Sequence, residues 1–349
     1  VTSLPPAPPT AKETGGQGSI VSEEFIFSAA PFQRCHASTV AETPRGMVAA
    51  WFGGTKEGED DVSIWSSYQN GAGWSRPQKV ADGIQFEGKR YPCWNPVLHA
   101  TSTGHVLLFY KVGRSPREWW GMLCESADGG RTWRNHRRLP EGILGPIKNK
   151  PFILEDGTLL CASSSEDEGW RVHFERTADL GQTWERTPAI NDGNTFAVIQ
   201  PSVLRLPDGR LQILCRSRQN AIVASTSNDD GRTWSALGAT ALPNPNAGTD
   251  AVTLQDGRQL LVYNHARREG TEWGGSRSTL NVAVSDDGDQ WDASLLLERE
   301  TEGEYSYPAV IQSADGLVHI TYTWRRERIK YIRIDPTDLP RSPIVDGQW

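Results

Sequence analysis

The chain has 349 residues, 37% of them hydrophobic, with 14 tryptophans and a formal net charge of −7. That acidity argues against a nucleic-acid-binding protein, and no apolar run approaches the ~20 residues a membrane-spanning helix requires. The length would permit two domains, but one repeat fills the chain from about residue 20 onward, so a single domain over 20–349 is expected.

Residues 1–19, rich in Pro, Gly and Thr, read as a flexible arm. The apolar stretch Ile20 to Phe27 follows and has no hairpin partner of its own. Six turn signals then punctuate short apolar runs: Pro44-Arg45-Gly46, Ser102-Thr103-Gly104, Asp156-Gly157, Asp208-Gly209, Asp256-Gly257 and Asp315-Gly316. Interleaved with them is a second recurring phrase. It reads Ser126-Ala-Asp128-Gly-Gly130-Arg-Thr132-Trp133, Thr177-Ala-Asp179-Leu-Gly181-Gln-Thr183-Trp184, Ser227-Asn-Asp229-Asp-Gly231-Arg-Thr233-Trp234 and a contracted Ser285-Asp-Asp287-Gly288-Asp-Gln-Trp291. Its Trp positions advance by 51, 50 and 57 residues, the length of a four-stranded propeller blade. In each copy Asp suits the amides of a turn, Gly suits the positive φ, and Trp packs its ring into the blade. The expected fold is all-β: a six-bladed β-propeller of four-stranded antiparallel blades. The lone strand around Val21 to Phe27 is expected to complete the last blade and leave no free edge.

Of the five cysteines, Cys35, Cys93, Cys124, Cys161 and Cys215, Cys161 and Cys215 fall at matching second-strand positions in successive blades and Cys35 and Cys93 at matching first-strand entries. Such positions lie too far apart for disulfides, so buried free thiols are expected, which leans towards a reducing compartment. The acidic run Glu57 to Asp61 lacks the oxygen-ligand spacing of a calcium loop, and neither metal nor cofactor is expected.

Both recurring turns lie on one rim, so a site belongs on the other, where first strands begin, second strands end and third strands begin. Those positions supply Arg34, His36, Asn95, Lys111, Lys148, Lys150, Arg171, Gln200, Arg216, Asp250, Arg277, Glu304, Tyr305, Tyr307 and Arg325. Clustered cations on an acidic protein suit an anionic ligand such as a sugar carboxylate, which guanidinium groups grip with two hydrogen bonds.

The recurring Asp phrase and the six-blade spacing resemble the sialidase (neuraminidase) superfamily of Asp-box propellers, over nearly the whole chain. The resemblance implies an exo-acting glycoside hydrolase that removes a terminal acidic sugar from a glycan. Arg34, Arg216 and Arg277 are similar to the family's three carboxylate-binding arginines. Tyr305 in Glu-Tyr-Ser-Tyr matches its tyrosine nucleophile, and Asp61 is the matching acid/base. A phenol suits such a substrate because an anionic nucleophile would be repelled by the carboxylate beside the anomeric carbon. The family's glutamate base falls at Gln200, with Glu304 or Glu175 as substitutes, and its Ile-Pro after the first Arg is replaced by Cys35-His36. Two alternatives stay open. His36 beside Tyr305 or Tyr307 suits a uronate-directed lyase or rhamnosidase-like enzyme, and the same mouth would serve a non-catalytic propeller that binds acidic glycans.

Overall fold

Alternating apolar residues between turn signals fold into six antiparallel sheets, as the computed structural model shows for residues 18–270 and 272–349. Residues 1–17 of the expected arm lie outside the described residues. Blade one is built from Arg34–Thr43, Gly46–Gly54, Ser63–Asn70 and the short Gly73–Trp74 and Gln78–Ala81. Blade two comprises Cys93–Ala100, Val106–Val112, Trp120–Ser126 and Arg134–Arg138. Blades three and four run Phe152–Ile153 to Glu185–Arg186 and Val198–Arg205 to Gly238–Pro243. Blade five, from Asp250–Thr253 to Asp292–Arg299, gains a fifth strand, Ser342–Pro343, near the C-terminus. Blade six holds Tyr305–Gln312, Val318–Trp324 and Arg328–Ile334, and Ile20–Phe25 pairs antiparallel along the last of these, Phe25 opposite Lys330 and Ile20 opposite Ile334. The protein is a six-bladed β-propeller, and the ring is held between blades by apolar clusters.

The recurring Asp turns act between blades. Asp179 Oδ1 accepts the amides of Gln182 and Thr183 at 3.0 and 2.8 Å, and Oδ2 takes the Thr183 hydroxyl at 2.6 Å. The turn so fixed throws its Trp onto the preceding blade rather than into its own. Trp234 stacks on Phe174 of blade three at 4.4 Å and 8°. Trp184 meets Phe109 of blade two edge-on at 6.0 Å, and the Trp133 indole nitrogen bonds Ser66 of blade one at 3.1 Å. Glycine is required where this turn closes on its neighbour: Gly231 has φ +76°, and a Cβ there would come within 2.9 Å of Leu160 of blade three. Blade one, lacking the Asp, still offers Trp74, which packs edge-on against Tyr331 of blade six at 5.1 Å.

All five cysteines are buried and unpaired. Among the described residues no helix is long and apolar enough to cross a membrane.

Candidate active site

The innermost strand of four blades breaks register at the same place, between His36 and Thr39, Trp94 and Val97, Ile199 and Ser202, and Ser306 and Ala309. Each break holds one residue at positive φ: Ala37 (56°), Asn95 (37°), Gln200 (57°) and Tyr307 (52°). A β-bulge re-aims the side chain of its extra residue, and the strain of left-handed backbone is tolerated where the surrounding sheet fixes it. Three of the four precede a proline, Pro96, Pro201 or Pro308, whose missing N–H suits a break in the ladder.

Tyr307 is the centre of what the bulges gather. Its hydroxyl accepts from Arg216 Nη1 at 2.7 Å and lies 3.2 Å from Gln200 Nε2. The His36 ring sits 4.1 Å from the Tyr307 ring, with Lys148 and Arg277 over that same phenol ring at 5.7 and 6.0 Å. Arg216 is itself oriented by Asn246, which accepts from Nε at 2.8 Å, and lies over Trp170 at 5.2 Å. Asn246 also accepts from Arg277 through its carbonyl, at 3.2 Å, so one residue sets both guanidinium groups.

His36 is buried, its Nδ1 2.9 Å from the Thr323 hydroxyl. Burial first, then the charges of Arg326, Arg277, Arg216 and Lys148, hold its pKa well below the usual histidine value. It therefore stands as a neutral imidazole. Beside it opens a pocket of about 440 Å³ lined by Arg34, Lys56, Glu57, Arg325 and Arg326. Arg34 reaches this pocket half-exposed, 3.6 Å from Glu327. Glu304 bridges two arginines, taking Arg277 at 3.1 Å and Arg326 at 2.9 Å, and accepts the Ser306 hydroxyl at 3.0 Å. Although burial opposes it, the Arg326 and Arg277 charges keep the Glu304 carboxyl below its ordinary range.

Other residues expected at the mouth are tied to partners of their own. Tyr305 is buried beneath Trp324, its hydroxyl 3.2 Å from Arg325 Nε, and burial pushes its pKa up to about 12. Arg325 also pairs with Glu300. Asp61 is exposed and ties off its own loop, accepting the Thr55 amide at 2.9 Å and hydroxyl at 2.7 Å. Asp250 joins blades, accepting Lys150 at 3.1 Å, Ser202 at 3.0 Å and the Val310 amide at 2.9 Å. Lys148 bonds the carbonyls of Thr249 and Pro308 and Asn149 Oδ1, knitting blades three, five and six at the axis. Lys111 donates to the Pro146 carbonyl at 2.7 Å between blades two and three. Glu175 clamps the same connection, accepting the Leu144 and Gly145 amides and facing His173 Nε2 at 2.9 Å. Arg171 stays on its own loop with Glu168. Asn95 is buried at its bulge.

Asn246, Trp170, Arg326 and Glu57 are site residues that the sequence pattern did not single out. Arg326 pairs with Glu57 across blades six and one, and its φ of 58° puts it in a tight turn that no sequence repeat marks. The centrality of Tyr307 did have a signal: Asn95-Pro96, Gln200-Pro201 and Tyr307-Pro308 recur at one place in three blades.

The arrangement offers a neutral imidazole at a pocket lined by guanidinium groups and Glu57, with the Tyr307 phenol and Arg216 packed beside that imidazole. The family described as BNR repeat-like domain matches residues 46–320. The anhydrosialidase of Macrobdella decora is 26% identical over 206 residues, 54% of this chain, and the chain spans only 26% of that protein. The intramolecular trans-sialidase from Ruminococcus gnavus superposes with a TM-score of 0.71 at 14% identity, covering 94% of this chain and 100% of that one. NanB sialidase from Streptococcus pneumoniae gives a TM-score of 0.68 at 15% identity, over 91% of this chain and 71% of its own. At such identities the structural likeness speaks for the fold.

Proposed function

Since the chain belongs to the BNR repeat-like domain family, within the sialidase superfamily of propellers, we propose that it is an exo-acting glycoside hydrolase that removes a terminal acidic sugar from a glycan. The observation that carries this reading is the Tyr307 hydroxyl held 2.7 Å from Arg216 in a ring of cations. In this proposal Arg216, Arg277 and Arg34 draw in the sugar carboxylate, with the Arg216 and Arg277 groups preset by Asn246 and Glu304. The Tyr307 oxygen attacks the anomeric carbon as the glycosidic bond breaks, its phenolic proton passing to neutral His36, and water then cleaves the glycosyl–tyrosine bond to release the sugar; a neutral phenol approaches a carboxylate-bearing centre without repulsion. Glu57 is proposed as the proton donor from the 55–62 loop because it lines the pocket; it is ion-paired with Arg326, so in this proposal it takes up and delivers its proton once substrate parts that pair.

The test is to incubate the protein with sialyllactose and with uronate-terminated oligosaccharides and to identify the released sugar. Release of the terminal acidic sugar supports the proposal. Binding of these glycans without any product would overturn it in favour of a glycan-binding propeller. One observation favours a second reading, uronate elimination. Gln200, an amide and not a carboxylate, faces Tyr307, which leaves neutral His36 as the base closest to the phenol ring. Ultraviolet absorbance from an unsaturated uronate product would decide for it.

A further inference from the structure

We propose that a pocket beside the 55–62 loop binds an oxyanion, a sulfate or a carboxylate, at a site separate from the mouth. The inference does not rest on the hydrolase reading. The pocket has a volume of about 390 Å³, and its walls include Gly58, Asp60, Lys89, Arg90, Tyr91 and Arg114. These come from three connections: 55–62 within blade one, 82–92 between blades one and two, and 113–119 within blade two. It shares no lining residue with the pocket beside His36, which takes Lys56 and Glu57 from the 55–62 loop where this one takes Gly58 and Asp60.

Charge marks the pocket. Three cations, Lys89, Arg90 and Arg114, line it against one carboxylate, Asp60, and among the described residues none of the three is in an ion pair. Glu59, Asp82, Glu87 and Glu118 lie on the same connections without lining it. Cations elsewhere on this rim are matched: Arg277 with Glu304, Arg326 with Glu57, Arg171 with Glu168. Like charges gathered without a counter-ion repel one another, and an anion between them relieves that repulsion.

The cations are also held in place. The Gln85 amide donates to the Lys89 carbonyl at 2.6 Å and the Tyr91 amide to the Gly83 carbonyl at 3.1 Å, closing a hairpin that carries Lys89 and Arg90. Glycine is required at 83, since a Cβ there would come within 1.6 Å of the Tyr91 carbonyl oxygen. Arg90 Nη2 donates to the Asp61 carbonyl at 3.2 Å and the Ser63 hydroxyl at 3.1 Å, and its Nε–H is buried without an acceptor. A buried donor left unmade is costly until an acceptor arrives. Arg114 lies over the Tyr91 ring at 5.7 Å, and Trp120 braces that ring edge-on at 5.7 Å. Two guanidinium groups and one ammonium so placed match an oxyanion, whose several oxygens accept charge-assisted hydrogen bonds together. The volume admits a sulfated or carboxylated sugar as well as a bare ion.

The experiment is calorimetric titration in an Arg216→Ala background, which weakens anion binding at the mouth, with ionic strength fixed by chloride. The ligands are sodium sulfate and N-acetylglucosamine 6-sulfate. Sulfate should still bind saturably, and Lys89→Ala or Arg114→Ala added to that background should each weaken it by at least about tenfold, the scale of one charged hydrogen bond. Neither side chain makes a hydrogen bond within the fold, so both variants should fold as the parent does. Absence of sulfate binding in the Arg216→Ala background overturns the site, as does binding that the Lys89 and Arg114 changes leave untouched. Tighter binding of the sulfated sugar than of sulfate, lost with Arg114→Ala, supports a glycan as the source of the anion. Equal affinities, lost in the same way, support a site for the free ion.

Discussion

Tyr307 and Tyr305 are two residues apart and sit in separate environments. Two residues along a strand normally return a side chain to the same face, but the bulge at Tyr307 breaks that alternation and sends its hydroxyl to Arg216, while Tyr305 stays under Trp324. Tyr307→Phe should accordingly lower kcat by ~10²–10⁴, whereas Tyr305→Phe should cost less than about tenfold. Steady-state kinetics on the released acidic sugar checks this, and the reverse order would return the nucleophile to Tyr305. On the 55–62 loop, Glu57→Gln should cost a comparable factor in kcat, while Asp61→Asn should act mainly on loop order and KM. Buried cations add a pH signature. Burial lowers Lys111 and Lys148 from 10.5 to about 7, so between these values the unfolded chain holds protons that the folded chain has released. Folding stability therefore rises with pH across that window and is insensitive to these groups below it. Thermal melts from pH 6 to 10 should show a smaller rise in Lys111→Met than in wild type. Equal slopes would mean that Lys111 stays charged in the folded state.

At the scale of elements, the Asp turn is a device for joining blades. Its hydrogen bonds are local, but the Trp they position lands on the neighbouring sheet, as Trp234 does on Phe174. Trp234→Ala should then destabilise by about 3–5 kcal/mol, as other large-to-small changes in packed regions do. Trp74→Ala should cost a similar amount, since its ring closes blade one against Tyr331 although its turn lacks the Asp. Chemical denaturation measures both, and a loss below about 1 kcal/mol for Trp74 would show that blade one is held by other contacts.

Across the whole molecule, the ring depends on a strand from the far end of the chain. Ile20–Phe25 pairs along Arg328–Ile334, and without it the backbone groups of that strand would face solvent as an open edge. Deleting residues 1–27 should yield a protein that aggregates at concentrations where the full chain stays monodisperse, as light scattering would report. A deletion variant as well-behaved as wild type would show that the edge is protected by other means. Near the axis, Lys148 and Asp250 each bond to partners on other blades, so the floor of the mouth and the closure of the ring share the same side chains.

The sequence by itself determined the blade count, the turn positions and the rim that carries the cations, because turn chemistry and strand periodicity are local and repeat every blade. It also named Arg216, Arg277, His36, Gln200 and Tyr307 among the residues of the mouth. Only the tertiary structure decided which of them meet. The Gln200 and Tyr307 contact spans 107 residues and depends on two bulges, and the pairing of Glu57 with Arg326 spans 269. The same holds for the cations that turned out to be ties: Lys111 and Lys150 read as mouth residues because a charge on a strand end looks alike whether it faces solvent or a neighbouring carbonyl. What separates the two cases is the partner on the next blade, and that partner exists only once the ring has closed.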